Sequence, residues 1–419
     1  MRKIRKGDFH KIMFGEEDNT LIIASSGGTK TCLAERAAQE EKQKGSVIIK
    51  MPSPKMNLEL GFSAFKPEKK YHLDKLKWQQ EKPENSKVKY YLAYSENTPR
   101  TKLPPFNIFT LDIKNFSRLL CCFLFEKTEE TASLRLLLDT LNTLKEDEGL
   151  YSLMKKIQKK VSKGDTGSDS FGVDSKLGTM AQLNIITQAF ERFRYNPLIF
   201  PHNCPYNLDI ENILNDNEHE HIFTSKYTTD IKTRDLINIY ILLEIIRLKQ
   251  SGKVENQVCI VIEELKSFCP AFPVYDFKTT LNKIVSELLS ICRGLGINVI
   301  SSTQIYHEVA REVRGAFNNL VLGKMSDLKD LYEIGSVIKI DKYSRQDILS
   351  LGYNEFYFLN VGDGVDEGVY VTFLSKHMHC ERGYLFDRIY AKHFPKKIKN
   401  HIKELDEIKG VWKNQNGIL

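Results

Sequence analysis

Short apolar runs separated by helix-length stretches recur along this 419-residue chain, and that alternation limits its fold more than any other feature. The runs include "TLIIA" (20–24), "GSVIIK" (45–50), "HIFTS" (221–225), "QVCIVIEEL" (257–265) and "INVISSTQ" (297–304). Between them, "TCLAERAAQEEKQ" (31–43), "TRDLINIYILLEIIRLKQ" (233–250) and "TTLNKIVSELLSICRGLG" (279–296) read as helices. "NLVLGK" (319–324), "EFYFLNVG" (355–362) and "VYVTFLS" (369–375) supply later strands. This pattern predicts an α/β fold: a mainly parallel sheet with helices on both faces. No internal repeat is present.

From 113 to 200 the alternation stops. "LRLLLDTLNTLKEDEGLYSLMKKIQKKV" (134–161) and "LGTMAQLNIITQAFERFRY" (177–195) have helical periodicity and few strand signals. The chain therefore divides into 1–112, the first half of an α/β domain; 113–200, an all-helical insertion; 201–375, the second half; and 376–419, a basic C-terminal tail with ten Lys/Arg against five Asp/Glu. The lysines at 155–163 read as a solvated helix face. Tyr384, Phe386, Tyr390 and Phe394 read as packing a terminal helix onto the core rather than stacking on nucleic acid.

The net charge of +7, from 61 Lys+Arg and 54 Asp+Glu, is mildly basic and by itself says little about a polyanionic partner. Eight cysteines without a C-x-x-C pair read as buried thiols of a reducing compartment. The longest apolar stretches, "FSRLLCCFLF" (116–125) and "LINIYILLEIIRL" (236–248), are too short or too charged to cross a bilayer. A cytoplasmic protein without a membrane span is expected. The histidines of "DNEHEH" (216–221) and "KHMHC" (376–380) read as solvated turn residues rather than zinc ligands.

"SSGGTKTCLAERAAQ" (25–39) follows a strand and opens a helix, the context of a phosphate-binding P-loop. In such a loop backbone N–H groups wrap the β-phosphate, the lysine neutralises phosphate oxygens, and the next hydroxyl ligates Mg²⁺. Gly27, Gly28, Lys30 and Thr31 are suited to these roles, although Ala24 and Thr29 stand where the G-x-x-x-x-G-K-[ST] pattern has glycine. In "VCIVIEEL" two acids, Glu263 and Glu264, end a buried strand, where one carboxylate supports a Mg²⁺ shell and a second polarises attacking water. "ICRGLGINVISSTQ" (291–304) adds Arg293, a glycine turn, an apolar strand and a terminal Thr303-Gln304.

In the order and spacing of these three elements, over residues 17–60 and 205–375, the chain resembles the HerA/FtsK superfamily of ring-forming P-loop ATPases. The resemblance implies a RecA-like fold, ATP and Mg²⁺ as cofactors, and a hexameric ring that pumps double-stranded DNA. It implies nucleotide binding by Ser26, Gly27, Gly28, Thr29, Lys30, Thr31 and Cys32, with Thr31 and Glu263 at the metal. Glu264 would activate water, Gln304 sense the γ-phosphate, and Arg293 act as a finger in a neighbour's site, with Arg311 and Arg314 as alternatives. Ile305-Tyr306 replaces the Arg-Pro that often follows the glutamine, and there is no room ahead of residue 20 for the amino-terminal barrel of HerA-type enzymes. The resemblance is thus to compact viral, plasmid or mobile-element motors. The competing expectation is a nucleotide-binding, non-hydrolysing relative that serves as an assembly or docking subunit, which Thr29 favours.

Overall fold

The computed structural model describes residues 19–25, 30–51, 66–67, 70–127, 131–163, 180–195, 197–325, 327–337, 342–352, 355–360, 369–371, 390–392 and 394–416. Ten strands form one sheet: β1 (Thr20–Ile23), β2 (Val47–Met51), β3 (Val88–Ala93), β4 (Phe106–Phe109), β5 (Glu220–Thr224), β6 (Val258–Ile262), β7 (Ile297–Thr303), β8 (Asn319–Leu322), β9 (Glu355–Asn360) and β10 (Val369–Val371). Their order across the sheet is β10-β9-β8-β1-β7-β6-β2-β5-β3-β4. Every neighbouring pair is parallel except β8–β9 and β9–β10. The mainly parallel sheet expected from the sequence is therefore present, with an antiparallel edge. The "VKYYLA" and "FNIF" strands extend it beyond the expected set.

Successive residues of the central strands point into two different cores, which is why they are apolar without a break. On one face, Leu33, Ala34, Ala37 and Ala38 of α1 (Lys30–Gln43) pack on Ile22, Ile48, Cys259, Val261 and Ile300. The other face takes the larger core. Helices α2 (Arg118–Phe125), α3 (Ala132–Leu141), α4 (Leu150–Lys163) and α5 (Met180–Tyr195) fill the region between the short paired strands Leu111–Asp112 and Ile199–Phe200. Helices α6 (Ile231–Gln250) and α7 (Asp276–Cys292) pack against α2, so these helices share one continuous core with the sheet. The periodic stretch 134–161 is two helices, because α3 stops at the Asn142 cap and the polar segment up to Gly149 interrupts it. Side-chain oxygens of Ser117, Thr131 and Asp230 accept from backbone N–H groups at the starts of α2, α3 and α6.

All seven cysteines among the described residues are buried, and none of them is in a disulfide. Among the described residues no helix is long and apolar enough to cross a membrane. The described part of the C-terminal region folds back on the sheet edge. Tyr390 meets Tyr90 edge-on at 6.0 Å, and Leu405 and Ile408 of α8 (Ile402–Asn416) are buried with Tyr94, Ile108 and Phe200. Tyr384, Phe386 and "KHMHC" lie outside the described residues.

A buried ion cluster fixes α1 on the sheet. Lys50 of β2 has no exposed surface; its Nζ donates to Glu35 Oε2 of α1 at 2.6 Å and to Glu220 Oε2 of β5 at 2.5 Å. Burial pulls the Lys50 pKa down, but the charges of Glu220 and Glu35 outweigh it and hold the ammonium above its ordinary range. Burial also pushes the Glu35 carboxyl up, against the pull of Lys50. Removing the cation strands two carboxylates in the interior, so Lys50→Ala is expected to cost about 3–5 kcal/mol. Urea unfolding measures this loss, and an unchanged midpoint would contradict it.

Candidate active site

The parallel arrangement places the carboxyl ends of β1, β7 and β6 side by side, with β7 between the other two. Each of those ends delivers one of the chemistry-bearing segments. Beyond β1, Lys30 and Thr31 form the first turn of α1; β6 runs into Glu263 and Glu264; β7 runs into Gln304. Because β7 is central, Gln304 falls between the lysine strand and the acid strand.

Thr31 Oγ1 donates to Glu263 Oε1 at 2.9 Å, linking the helix start to the acid strand. Lys30 is nearly buried, and its Nζ donates to the carbonyls of Ala24 (2.8 Å) and Ser25 (3.2 Å). The ammonium is thereby held just beyond the carboxyl end of β1. Cys32 is buried in the same turn. Ser26, Gly27, Gly28 and Thr29 lie outside the described residues.

Glu264 is one of three non-glycine residues with positive φ among the described residues, at φ 51° and ψ 55°. That left-handed backbone costs a side-chain-bearing residue on the order of 1 kcal/mol. It turns the chain sharply after Glu263, so the two neighbouring acids serve different partners. Glu263 meets Thr31, whereas Glu264 Oε1 accepts from Gln304 Nε2 at 2.8 Å. Both carboxylates are largely buried, at 4% and 7% exposure.

Ala24, which stands where the loop pattern has glycine, has a steric counterpart one strand away. Gly323 follows β8 and donates its N–H to the Ile23 carbonyl at 2.7 Å. A Cβ at 323 would lie 2.7 Å from Ala24 Cβ and 2.9 Å from Phe356 Cε1. The methyl of Ala24 therefore occupies space that glycine at 323 leaves open. Gly323→Ala is expected to destabilise the protein by about 1–3 kcal/mol through overpacking. Adding Ala24→Gly should restore part of the loss in thermal melts, while no recovery would assign the clash to Phe356 alone.

Arg293 does not join this cluster. It is exposed in the turn before β7, at the opposite edge of the sheet, with a seven-residue strand, about 20 Å long, between it and Gln304. The following Gly296 has φ +66°, and a Cβ there would lie 2.7 Å from Gln257 Oε1, so the tight turn into β7 requires glycine. Of the other two arginines, Arg314 is engaged within the chain: its Nη1 pairs with Glu333 Oε2 at 2.6 Å, and its guanidinium sits over the Tyr306 ring at 4.6 Å. Arg311 is exposed.

Of the two histidines of "DNEHEH" expected as solvated turn residues, only His219 lies in the turn, with Nδ1 3.0 Å from Asp216 Oδ2; His221 is instead fully buried in β5, where the apolar core covers it and its Nε2 lies 2.9 Å from the Asp216 carbonyl. Despite its partial burial, Asp216 is kept well below the usual carboxylate range by Lys89 and these histidines.

No protein-family profile matches the chain, and no curated protein matches it by sequence. Solved structures do match by shape. The plasmid coupling protein TrwB, in complex with the non-hydrolysable ATP analogue ADPNP, aligns over 91% of this chain and 95% of its own at 13% identity, with a TM-score of 0.53. VirB4 of Thermoanaerobacter pseudethanolicus aligns over 87% and 89% at 13% identity with a TM-score of 0.48. The genome packaging NTPase B204 of Sulfolobus turreted icosahedral virus 2, in complex with sulfate, aligns over 36% and 66% at 14% identity with a TM-score of 0.27. The fold assignment rests on the TrwB match.

The sheet order and the TrwB match define a RecA-like P-loop NTPase fold. At 13% identity the match speaks for the fold alone.

Proposed function

We propose that the chain is an ATPase motor of the HerA/FtsK type that moves double-stranded DNA. The observation that carries this reading is the pair of contacts at one sheet edge: Thr31 to Glu263 at 2.9 Å and Gln304 to Glu264 at 2.8 Å. A protein that only held nucleotide would use the first contact and have no need of the second, nor of the strained backbone at Glu264. The similar solved structure of a plasmid coupling protein supports DNA as the partner.

The donor set fits magnesium nucleotide. An ammonium at a helix amino end suits phosphate, and the hydroxyl and carboxylate oxygens of Thr31 and Glu263 are the hard donors that Mg²⁺ takes. When bound, the ion neutralises charge on the phosphate oxygens. Lys30 binds the phosphates. As the water oxygen bonds to the γ-phosphorus and the bond to the β-phosphate oxygen breaks, releasing ADP, Glu264 would take the water's proton onto its carboxylate; Gln304 would orient that water, having exchanged its present bond to Glu264 for one to the reacting groups.

Arg293 faces away from the chain's own site, so any part it takes in hydrolysis is in a neighbour's site within a ring. Arg311, exposed on a different element, is the alternative, while Arg314 would first have to leave Glu333. An arginine supplied in trans contributes ~10³ or more in rate. ATPase activity per subunit is therefore expected to rise with protein concentration and with duplex DNA. Mixing a subunit lacking Lys30 with one lacking the arginine should restore part of the activity, because each supplies what the other lacks. A monomer with fixed specific activity that ignores DNA would overturn the motor reading, and nucleotide binding without turnover would favour the docking subunit.

A further inference from the structure

Gln304 reaches Glu264 from the start of a loop that is fastened at its far side by a buried carboxylate. Asp330 lies in the helix Leu328–Val337 and is 2% exposed. Its Oδ2 accepts from the Tyr306 backbone N–H at 2.9 Å, and its Oδ1 from the His307 backbone N–H at 2.8 Å. The His307 ring adds a third contact, Nδ1 to Oδ1 at 2.7 Å, with Asp327 Oδ2 3.8 Å from the same nitrogen. One turn along the same helix, Glu333 pairs with Arg314, whose Nη1 donates to the Tyr306 carbonyl at 3.3 Å. The N–H of Tyr306, two residues beyond Gln304, is thus fixed by this helix directly, and its carbonyl through Arg314, which Glu333 of the same helix holds.

A buried carboxylate is costly unless its bonds are all made, and a loop needs no such group merely to be covered. Here the bonds converge on two consecutive amides, and they set where the backbone leaves β7. The amide of Gln304 has only a short side chain with which to reach Glu264, so a shift of the 305–307 backbone passes directly to it. We propose that Asp330 is a positioning residue: through the Tyr306 and His307 amides it holds Gln304 in register with Glu264. The helix Leu328–Val337 is thereby mechanically joined to the hydrolytic pair. Its outer face exposes Leu328 and Tyr332, at 56% and 68%, so contacts made there would be felt at Gln304. This inference rests on the ATPase reading for its catalytic consequence, but not for its structural one.

The test uses the full-length chain with Asp330→Ala, Asp330→Asn, Gln304→Ala and the double variant D330A/Q304A. In the activity arm, D330A is expected to lower kcat about ten- to a hundredfold, the cost of slight misplacement of a catalytic group. Its KM and its affinity for a labelled ATP analogue should stay within about twofold. D330N, which keeps one acceptor, should fall between D330A and wild type, and it also serves if the alanine variant does not fold. In the Gln304→Ala background D330A should cause no further loss. In the second arm, amide hydrogen exchange in D330A or D330N should quicken at 304–310 and also at 263–268, and the latter change should vanish in the Gln304→Ala background. An equal loss with and without Gln304, or quickened exchange confined to 304–310, would overturn the proposal. If the wild type hydrolyses no nucleotide, the proposed function falls and the exchange arm alone decides the role of Asp330.

Discussion

Lys30→Ala is expected to abolish detectable nucleotide binding, lowering affinity by about two to three orders of magnitude. The ammonium is nearly buried and is held just beyond the carboxyl end of β1 by the carbonyls of Ala24 and Ser25, at 2.8 and 3.2 Å. Those carbonyls are weaker partners than a phosphate, because a charge-assisted bond to an anion is roughly twice as strong as one to a neutral acceptor. Losing two such bonds, each about 1.5–2 kcal/mol, accounts for the expected drop. Binding of a labelled ATP analogue measures it, with circular dichroism to check that α1 remains folded. Equal binding by wild type and variant would mean that the stretch "SSGGTKT" is only a turn.

The second large effect separates the two acids of "VIEEL". Glu264→Gln should bind nucleotide with unchanged affinity while turnover falls about 10²–10⁴-fold, the range for loss of a general base. Glu263→Gln should weaken Mg²⁺-dependent binding as well, because the charge facing Thr31 is lost even though an amide oxygen could still accept from its hydroxyl. The structural basis for different outcomes is the left-handed backbone at Glu264, which sends adjacent side chains to different partners. Binding by calorimetry at varied Mg²⁺, alongside steady-state hydrolysis, distinguishes the variants. Matching effects from both would remove the division of roles.

Much of this site was legible in the sequence because its members lie at strand ends. A buried parallel strand announces itself by unbroken apolar residues, and the residue after it is then at the carboxyl edge. That logic reaches Glu263, Glu264 and Gln304 directly, and Lys30 through the loop between strand and helix. It does not reach Asp330. Nothing local distinguishes an aspartate in "LKDLYEIG" from a solvated helix residue, since its partners are backbone amides more than twenty positions away. The Lys50–Glu35–Glu220 cluster is hidden for the same reason, with the added difficulty that a lysine ending "SVIIK" reads as a strand leaving the core. The strand "VKYYLA" did carry a signal, in its β-branched and aromatic residues, but its parallel pairing with β5 depends on a segment over a hundred residues later.

Ala24 and Gly323 show how a one-dimensional motif can be kept in three dimensions while being lost in one. The loop strand and its lateral neighbour share a single methyl-sized volume, and here that volume is filled from position 24 and left vacant at 323. A pattern that scores each position by itself records a missing glycine at 24 and no meaning at 323. The hole the glycine would have made has been moved sideways by one strand spacing, roughly 4.8 Å. Position-by-position comparison penalises such an exchange at 24 and gives no credit for it at 323.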